Sequence, residues 1–305
     1  MPNRSADHQP DSINALRDRV GGVWDAYQAS RFGYLGTLLP SLLNDLLHAE
    51  RYYNDELKVR CQRLAALTYQ AGAAVLTKLG ETDLACLCAQ RGYDFAEQAG
   101  EHTVLLSLTR SVAHVLLSAG RCADAAELVS DVSSSARFIG DGSSRAHVSV
   151  LGTLQLTGAM AAARSRNRAL TEKFLSRAGG AAHLLGRDDN LLWTAFGPTN
   201  VALHRVSTAL ELGDFQLAAE IGPKVDPHLL PVERQVRHQL EMARVHHKLD
   251  ERRSAIGLIL EAERIAPEHV HHHPLSRGLV VDWLRCSKRM PGDELTGLAR
   301  RLNLV

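Results

Sequence analysis

A short turn that recurs along the chain constrains the fold more than any other feature of the sequence. In each copy an apolar helical segment ends at glycine or a polar residue, and a small residue follows five positions later. Glycine adopts the left-handed backbone conformation that ends an α-helix, and a small side chain lets the next helix pack closely against the one before it. The five turn residues are Gly80, Gly120, Arg166, Gly213 and Asp250.

The spacing of these turns is typical of a repeat protein. Successive turn residues are 40, 46, 47 and 37 positions apart, which is longer than the roughly 34 residues of a regular tetratricopeptide repeat. Helix pairs at such spacing stack side by side and enclose a concave face. We therefore predict an all-α fold, a right-handed α-solenoid of about five degenerate tetratricopeptide-like helix pairs.

The two ends of the chain differ from this array. Residues 1–12 are polar and predict a disordered lead-in, whereas a helical apolar period begins at Ile13, so that the solenoid is expected to cover residues 13–305. Near the C-terminus, Leu279–Ser287 and Asp293–Leu302 have the pattern of short amphipathic helices. We expect them to cover the exposed end of the array.

Composition narrows the classes of function. The chain carries 35 Lys and Arg against 34 Asp and Glu, without the basic excess of a nucleic-acid-binding protein. Its five cysteines have no metal-site spacing and predict small buried side chains in a reducing cytosol. No apolar run is long enough to span a membrane, and no G-x-S-x-G, HExxH or phosphate-loop motif is present. We expect a cytoplasmic protein that is not an enzyme and needs no cofactor.

Several segments resemble one family. Trp24–Pro40, Phe196–Val206, His273–Arg277 and the tail from Leu295 to Leu302 are similar to the C-terminal region of actinobacterial helix-turn-helix transcriptional regulators that carry tetratricopeptide-like domains. The likeness covers roughly residues 13–305. It implies a sensing or protein-contact role, and it implies dimers, with Trp24 and Tyr27 either at the dimer contact or covering the first repeat.

The chain departs from that family at its start. Only about twenty residues precede the similar region, which is too few for a three-helix DNA-reading domain. We therefore expect this chain to have no direct contact with nucleic acid.

The repeat register selects candidate binding residues. When each turn residue is numbered 15 within its repeat, positions 2, 5, 6, 9 and 12 of the first helix face the groove. This rule selects Gln70, Arg110, His114, Thr153, Met160, Asn200, Leu203, His204, Ser207, Arg237, Arg244 and His247. Arg, His and Asn in such a groove suit a carboxylate, a phosphate or a peptide C-terminus, although arginines on solenoid helices also pair with neighbouring glutamates or remain solvated.

The segment Phe196-Gly-Pro-Thr-Asn200 adds two candidates, Phe196 and Thr199. Gly-Pro is also a helix-start signal, with Pro198 in the first turn, so Thr199 and Asn200 equally fit a local hydrogen-bonding role. The ligand-binding candidates are Arg110, His114, Phe196, Thr199, Asn200, His204, Arg237 and Arg244.

The histidine-rich segment His269–His273 raises the question of a metal site. Two histidines four positions apart on a helix can share a zinc ion, but Pro274 disfavours a helical backbone at His273, and no further ligand lies at useful spacing. We expect no metal there.

Two functional hypotheses remain. The first is a regulatory sensor that holds a small anionic molecule or peptide in the concave groove. The second is a scaffold that docks a partner protein on the same face. A closed polar pocket favours the first, and an exposed apolar strip favours the second.

Overall fold

The computed structural model describes residues 9–134, 144–286 and 292–305 and is all-helical there, without a β-strand. Its fifteen α-helices are α1 (Ile13–Gln28), α2 (Phe32–Tyr52), α3 (Asp55–Leu79), α4 (Thr82–Ala99), α5 (His102–Ser118), α6 (Cys122–Ser134), α7 (Arg145–Arg164), α8 (Arg168–Leu185), α9 (Pro198–Leu212), α10 (Phe215–Ile221), α11 (Val232–Lys248), α12 (Arg252–Ile265), α13 (Pro267–His272), α14 (Pro274–Arg285) and α15 (Asp293–Arg301). Most of the predicted lead-in, residues 1–8, and Ser287 lie outside the described residues.

The five predicted turns join α3 to α4, α5 to α6, α7 to α8, α9 to α10 and α11 to α12. All five turn residues have left-handed backbones, with φ of 83°, 76°, 60°, 91° and 64° in chain order. In each turn the next N–H donates to the carbonyl oxygen five residues earlier, at 2.8–2.9 Å. This is the hydrogen bond that closes a Schellman helix end. The predicted turn chemistry is confirmed, including at Arg166 and Asp250, which carry a Cβ.

The small residue after each turn is buried as predicted. Ala85, Ala125, Thr171, Ala218 and Ala255 all have 0 % exposure. Because each of these side chains lies in the seam between two helices, a larger one would push the pair apart.

The C-terminal helices return to the N-terminal ones. Helix α11 packs against α1, and α13 packs against α2 and α3. Glu268 Oε2 on α13 accepts a hydrogen bond from the N–H of Gly33, 2.6 Å away, and Lys78 on α3 pairs with Glu233 on α11. The two ends of the chain therefore close around an interior space.

The loop between α8 and α9 borders this interior through Trp193 and Ala195. Leu192, Trp193 and Ala195 have φ of 48°, 53° and 46°, the left-handed region that non-glycine residues rarely occupy. The ring of Trp193 stacks on Trp24, with centroids 5.3 Å apart and planes 9° from parallel. Trp24 is thus buried inside the chain, at 2 % exposure, and the loop is anchored to α1.

The cysteines and, within the described residues, the absence of membrane-spanning segments can be compared with the predictions from the sequence. Cys61 is buried, but Cys86 and Cys286 are exposed. Cys86 lies at an exposed position of α4, and Cys286 directly follows the last residue of α14. The expectation of buried cysteines was wrong for these two. In the described ranges, no helix combines the length and the apolar character needed to cross a bilayer.

The turn conformation can be tested at Gly213. Gly213→Ala should lower the free energy of unfolding by about 1 kcal/mol, because alanine is strained in the left-handed region. The control is Gly257→Ala inside α12, where an added Cβ meets nothing within 4 Å. That change should raise the free energy of unfolding by about 0.5–1 kcal/mol. Urea denaturation measures both, and a shift of the same sign in the two variants would contradict the assignment.

Candidate functional site

A cavity of ≈ 530 Å³ lies inside the closed array. The first helix of each of the five pairs contributes to its wall, together with α1 and α14. One residue from each of these seven helices, in chain order, is Tyr27, Lys78, Arg110, Met160, His204, Arg237 and Leu275. Such a volume is within the usual range for a small-molecule pocket.

Six of the eight candidate residues line this cavity. They are Arg110, His114, Asn200, His204, Arg237 and Arg244. Met160, Leu203 and Ser207, which the repeat register also selected, line the cavity as well. Gln70, Thr153 and His247 came from the same rule and lie elsewhere; Gln70, for example, donates to Ser107 O at 2.9 Å.

Phe196 and Thr199 lie outside the cavity wall. Phe196 is fully buried and fills the space beside Gly152, where an added Cβ would come within 1.9 Å of its ring. Thr199 stands in the first turn of α9, which begins at Pro198 as predicted, and its hydroxyl donates to Asp188 at 2.6 Å. Both residues thus contact other parts of the chain. For Thr199 this is the local hydrogen-bonding role that the sequence left open.

The register rule missed a second ring of polar residues. Lys78, Arg164 and Glu211 line the cavity and all occupy repeat position 13, one turn after position 9. Extending the rule by one position would have found them. Trp193 and Arg234 precede position 1 of their repeats, so the repeat numbering could not place them.

Cations outnumber acids in the wall. The cationic residues are Lys78, Arg110, Arg164, Arg234, Arg237 and Arg244, and the acidic residues are Glu211, Glu233 and Glu241. Six positive charges therefore face three negative ones, and the cavity attracts anions.

The acids pair with most of these cations. Glu211 lies 2.9 Å from Arg244 and 3.6 Å from Arg164. Glu241 lies 2.7 Å from Arg237. Glu233 pairs with Lys78 and lies 3.3 Å from Arg234; although burial raises its pKa, Lys78 and Arg234 lower it well below the usual value, so it remains ionised.

Arg110 has no such partner. Its side chain is 8 % exposed, yet it makes no ion pair or hydrogen bond with any residue in the described ranges, and its Nε is buried without an acceptor. Burial, followed by the charge of Arg234, lowers the pKa of Arg110 to about 10. At neutral pH the guanidinium is still charged. An unpaired buried cation is unfavourable unless an anion joins it.

The histidines of the wall are neutral. Burial, with Arg234 next, lowers the pKa of His204 to about 4. Nδ1 of His204 lies 2.9 Å from the carbonyl oxygen of Asn200, and since that oxygen only accepts, Nδ1 carries the proton. Burial and Arg110 lower the pKa of His114 well below its usual value.

The histidine-rich segment does not converge on one point. His269 contacts Ser30, His271 lies 2.7 Å from Glu263, and His273 accepts from the N–H of Leu275. His273 has an extended backbone, as Pro274 predicted. Across the part of the chain that the structure describes, no group of three or more His, Cys, Asp and Glu side chains could hold a metal ion.

Comparison with known proteins does not assign the chain to a family. A scan against models of known protein families gives no match to the chain, and a search of curated proteins gives none either. What the protein does is therefore inferred from the cavity, whose chemistry suits the binding of an anion.

The neutral state of His204 predicts a pH dependence. An unfolded histidine takes up a proton near pH 6.5, whereas folded His204 does so only near pH 4, so stability falls as the pH drops through this window. For His204 alone, the loss from pH 7.5 to pH 5.0 is about 2 kcal/mol. In His204→Asn the side chain retains a donor but does not titrate. Its free energy of unfolding should therefore fall over this interval by about 2 kcal/mol less than that of wild type. Urea unfolding at both pH values measures the difference, and equal losses would contradict a neutral His204.

Proposed function

We propose that the protein is a ligand-sensing module, built as a right-handed solenoid of degenerate tetratricopeptide-like helix pairs, that holds a small anionic molecule in its central cavity. The observation that carries the proposal is Arg110, a buried guanidinium without a partner in a wall where cations exceed acids. A carboxylate or phosphate would pair with it bidentately.

The bounded form of the cavity supports a small ligand over a docked protein. Helix α1 meets α11 and α13 meets α2, so the concave face is bounded on several sides. A partner helix or long peptide needs an open apolar groove, whereas this face carries six cationic and three acidic side chains among its apolar residues. A peptide would fit only through its terminal carboxylate and a few residues.

A regulatory output follows from the elements that surround the ligand site. Arg110 lies on α5, Arg234 on α11 and Tyr27 on α1, so one bound anion would contact helices from both ends of the chain. Binding would stabilise the closed arrangement of these ends relative to an open one. The resemblance to the sensor region of transcriptional regulators supports the same role, with the response passed to a partner and with no direct DNA contact.

Native mass spectrometry of gently purified protein tests the proposal. We expect an additional bound mass of a few hundred daltons, typical of a small ligand. Arg110→Gln should lose that mass because it removes the unpaired charge. Arg253→Gln, which changes an exposed arginine on α12, is the matched control and should retain it. Wild-type protein without any bound mass, together with identical spectra for both variants, would count against an anion site.

The Arg110→Gln variant should also change the stability of the ligand-free protein. Because the charge of Arg110 is buried and unpaired, Arg110→Gln should raise the free energy of unfolding of ligand-free protein by about 1 kcal/mol or more. Arg253→Gln should change it by less than about 0.5 kcal/mol. Urea denaturation after dialysis measures both. A destabilised Arg110→Gln variant would show that Arg110 has a structural partner instead.

A further inference from the structure

The cavity has an aromatic side next to its cationic group. Trp24, Tyr27 and Trp193 line it together. Tyr27 meets Trp24 edge-on, with ring centroids 5.6 Å apart, and Trp193 stacks on Trp24. Trp193 is only half-buried, and its indole N–H has no partner among the described residues. Its N–H and the part of its ring that lines the cavity are therefore available to a bound molecule.

Tyr27 connects the aromatic residues to Arg110. Burial raises the pKa of Tyr27 and Glu233 raises it further, whereas Arg234 and Arg110 lower it. Tyr27, Arg110 and Arg234 all line the cavity, so the phenol belongs to the same wall as the cationic groups. The described residues offer its hydroxyl no hydrogen-bond partner.

The backbone that presents Trp193 is strained. Leu192, Trp193 and Ala195 all have positive φ, at a cost of about 1–2 kcal/mol each. Gln28 on α1 fixes the loop by exchanging amide hydrogen bonds with Asn190 at 2.8 and 3.0 Å and by donating to Trp193 O at 3.2 Å. Strained residues that are fixed in this way cluster at ligand sites.

We infer that the ligand is an aromatic anion, with a planar ring against Trp193 and a carboxylate or phosphate on Arg110 and Arg234. This inference rests on the proposed function, because it specifies the anion that the cavity holds. Ring stacking supplies selectivity for a flat molecule, and the arginine pair supplies the charge preference. Neither half of the site would discriminate such a ligand alone.

Isothermal titration calorimetry with defined probes tests this class. The probes are 1-naphthoate, 1-naphthyl phosphate, acetate, inorganic phosphate and the uncharged 1-naphthalenemethanol. We expect each naphthyl anion to bind at least about tenfold tighter than the small anion with the same head group and than the uncharged ring. The ratio between naphthoate and naphthyl phosphate distinguishes a carboxylate ligand from a phosphate ligand.

Variants test whether the ring of the ligand contacts Trp193. Trp193→Leu should weaken the binding of naphthoate about tenfold and leave the affinity for acetate unchanged. Tyr34→Leu alters an exposed aromatic residue outside the cavity and is the matched control, expected to bind naphthoate like wild type. If Trp193→Leu does not fold, quenching of wild-type tryptophan fluorescence by naphthoate, but not by acetate, gives an independent measurement.

The outcomes separate this inference from the proposed function. If acetate and naphthoate bind equally, the aromatic requirement is wrong and the anion site stands. If naphthoate binds without quenching and Trp193→Leu has no effect, the ring lies elsewhere and the inference is wrong. If no probe binds, the inference is also overturned, while the co-purified mass and its dependence on Arg110 decide the proposed function separately.

Discussion

Each helix pair depends on one backbone conformation, the left-handed residue at its turn. That residue directs the chain out of the first helix at a fixed angle, and the buried small residue five positions later determines how closely the second helix packs. Arg166 and Asp250 adopt the same conformation as the three glycines although a Cβ there costs about 1 kcal/mol. The packing of the pair therefore outweighs the local preference of the residue. Because all five pairs share this geometry, the same face of each first helix turns toward the interior.

The return of the C-terminal helices makes a cavity out of that interior. Glu233 on α11 meets Lys78 on α3, and Glu268 on α13 meets the N–H of Gly33 at the start of α2. These contacts join residues more than 150 positions apart, and the first of them pairs one acid of the cavity with Lys78. The ion pair between Glu233 and Lys78 thus has two effects. It joins the ends of the array, and it leaves Arg110 without an acidic partner, because Glu233 pairs with Lys78 and Arg234 instead.

Local chemistry in the sequence was sufficient for the helical class, the five turns and six of the eight candidate residues in the cavity wall. Arg110 and His204 could be placed because the register of a helix follows directly from its end. The position of Phe196 could not be predicted, because it depends on the missing side chain of Gly152, 44 positions earlier in another helix. Trp193 was missed for a different reason: no residue type marks a left-handed backbone in a loop of bulky side chains. Contacts between distant elements and strained loops have no local pattern in the sequence.

Two unfavourable features meet in this one cavity. Arg110 has a buried charge without a partner, and the loop that carries Trp193 has three strained residues. Elsewhere in the described chain, buried charges such as Glu241 have ion-pair partners, and the positive φ values at the five turns each close a helix end. If both features were merely structural, an apolar residue in place of Arg110 and a relaxed loop would give a more stable fold. A single ligand with a charge and a ring would explain both, since its charge would pair with Arg110 and its ring would contact the tryptophan that the strain holds in place.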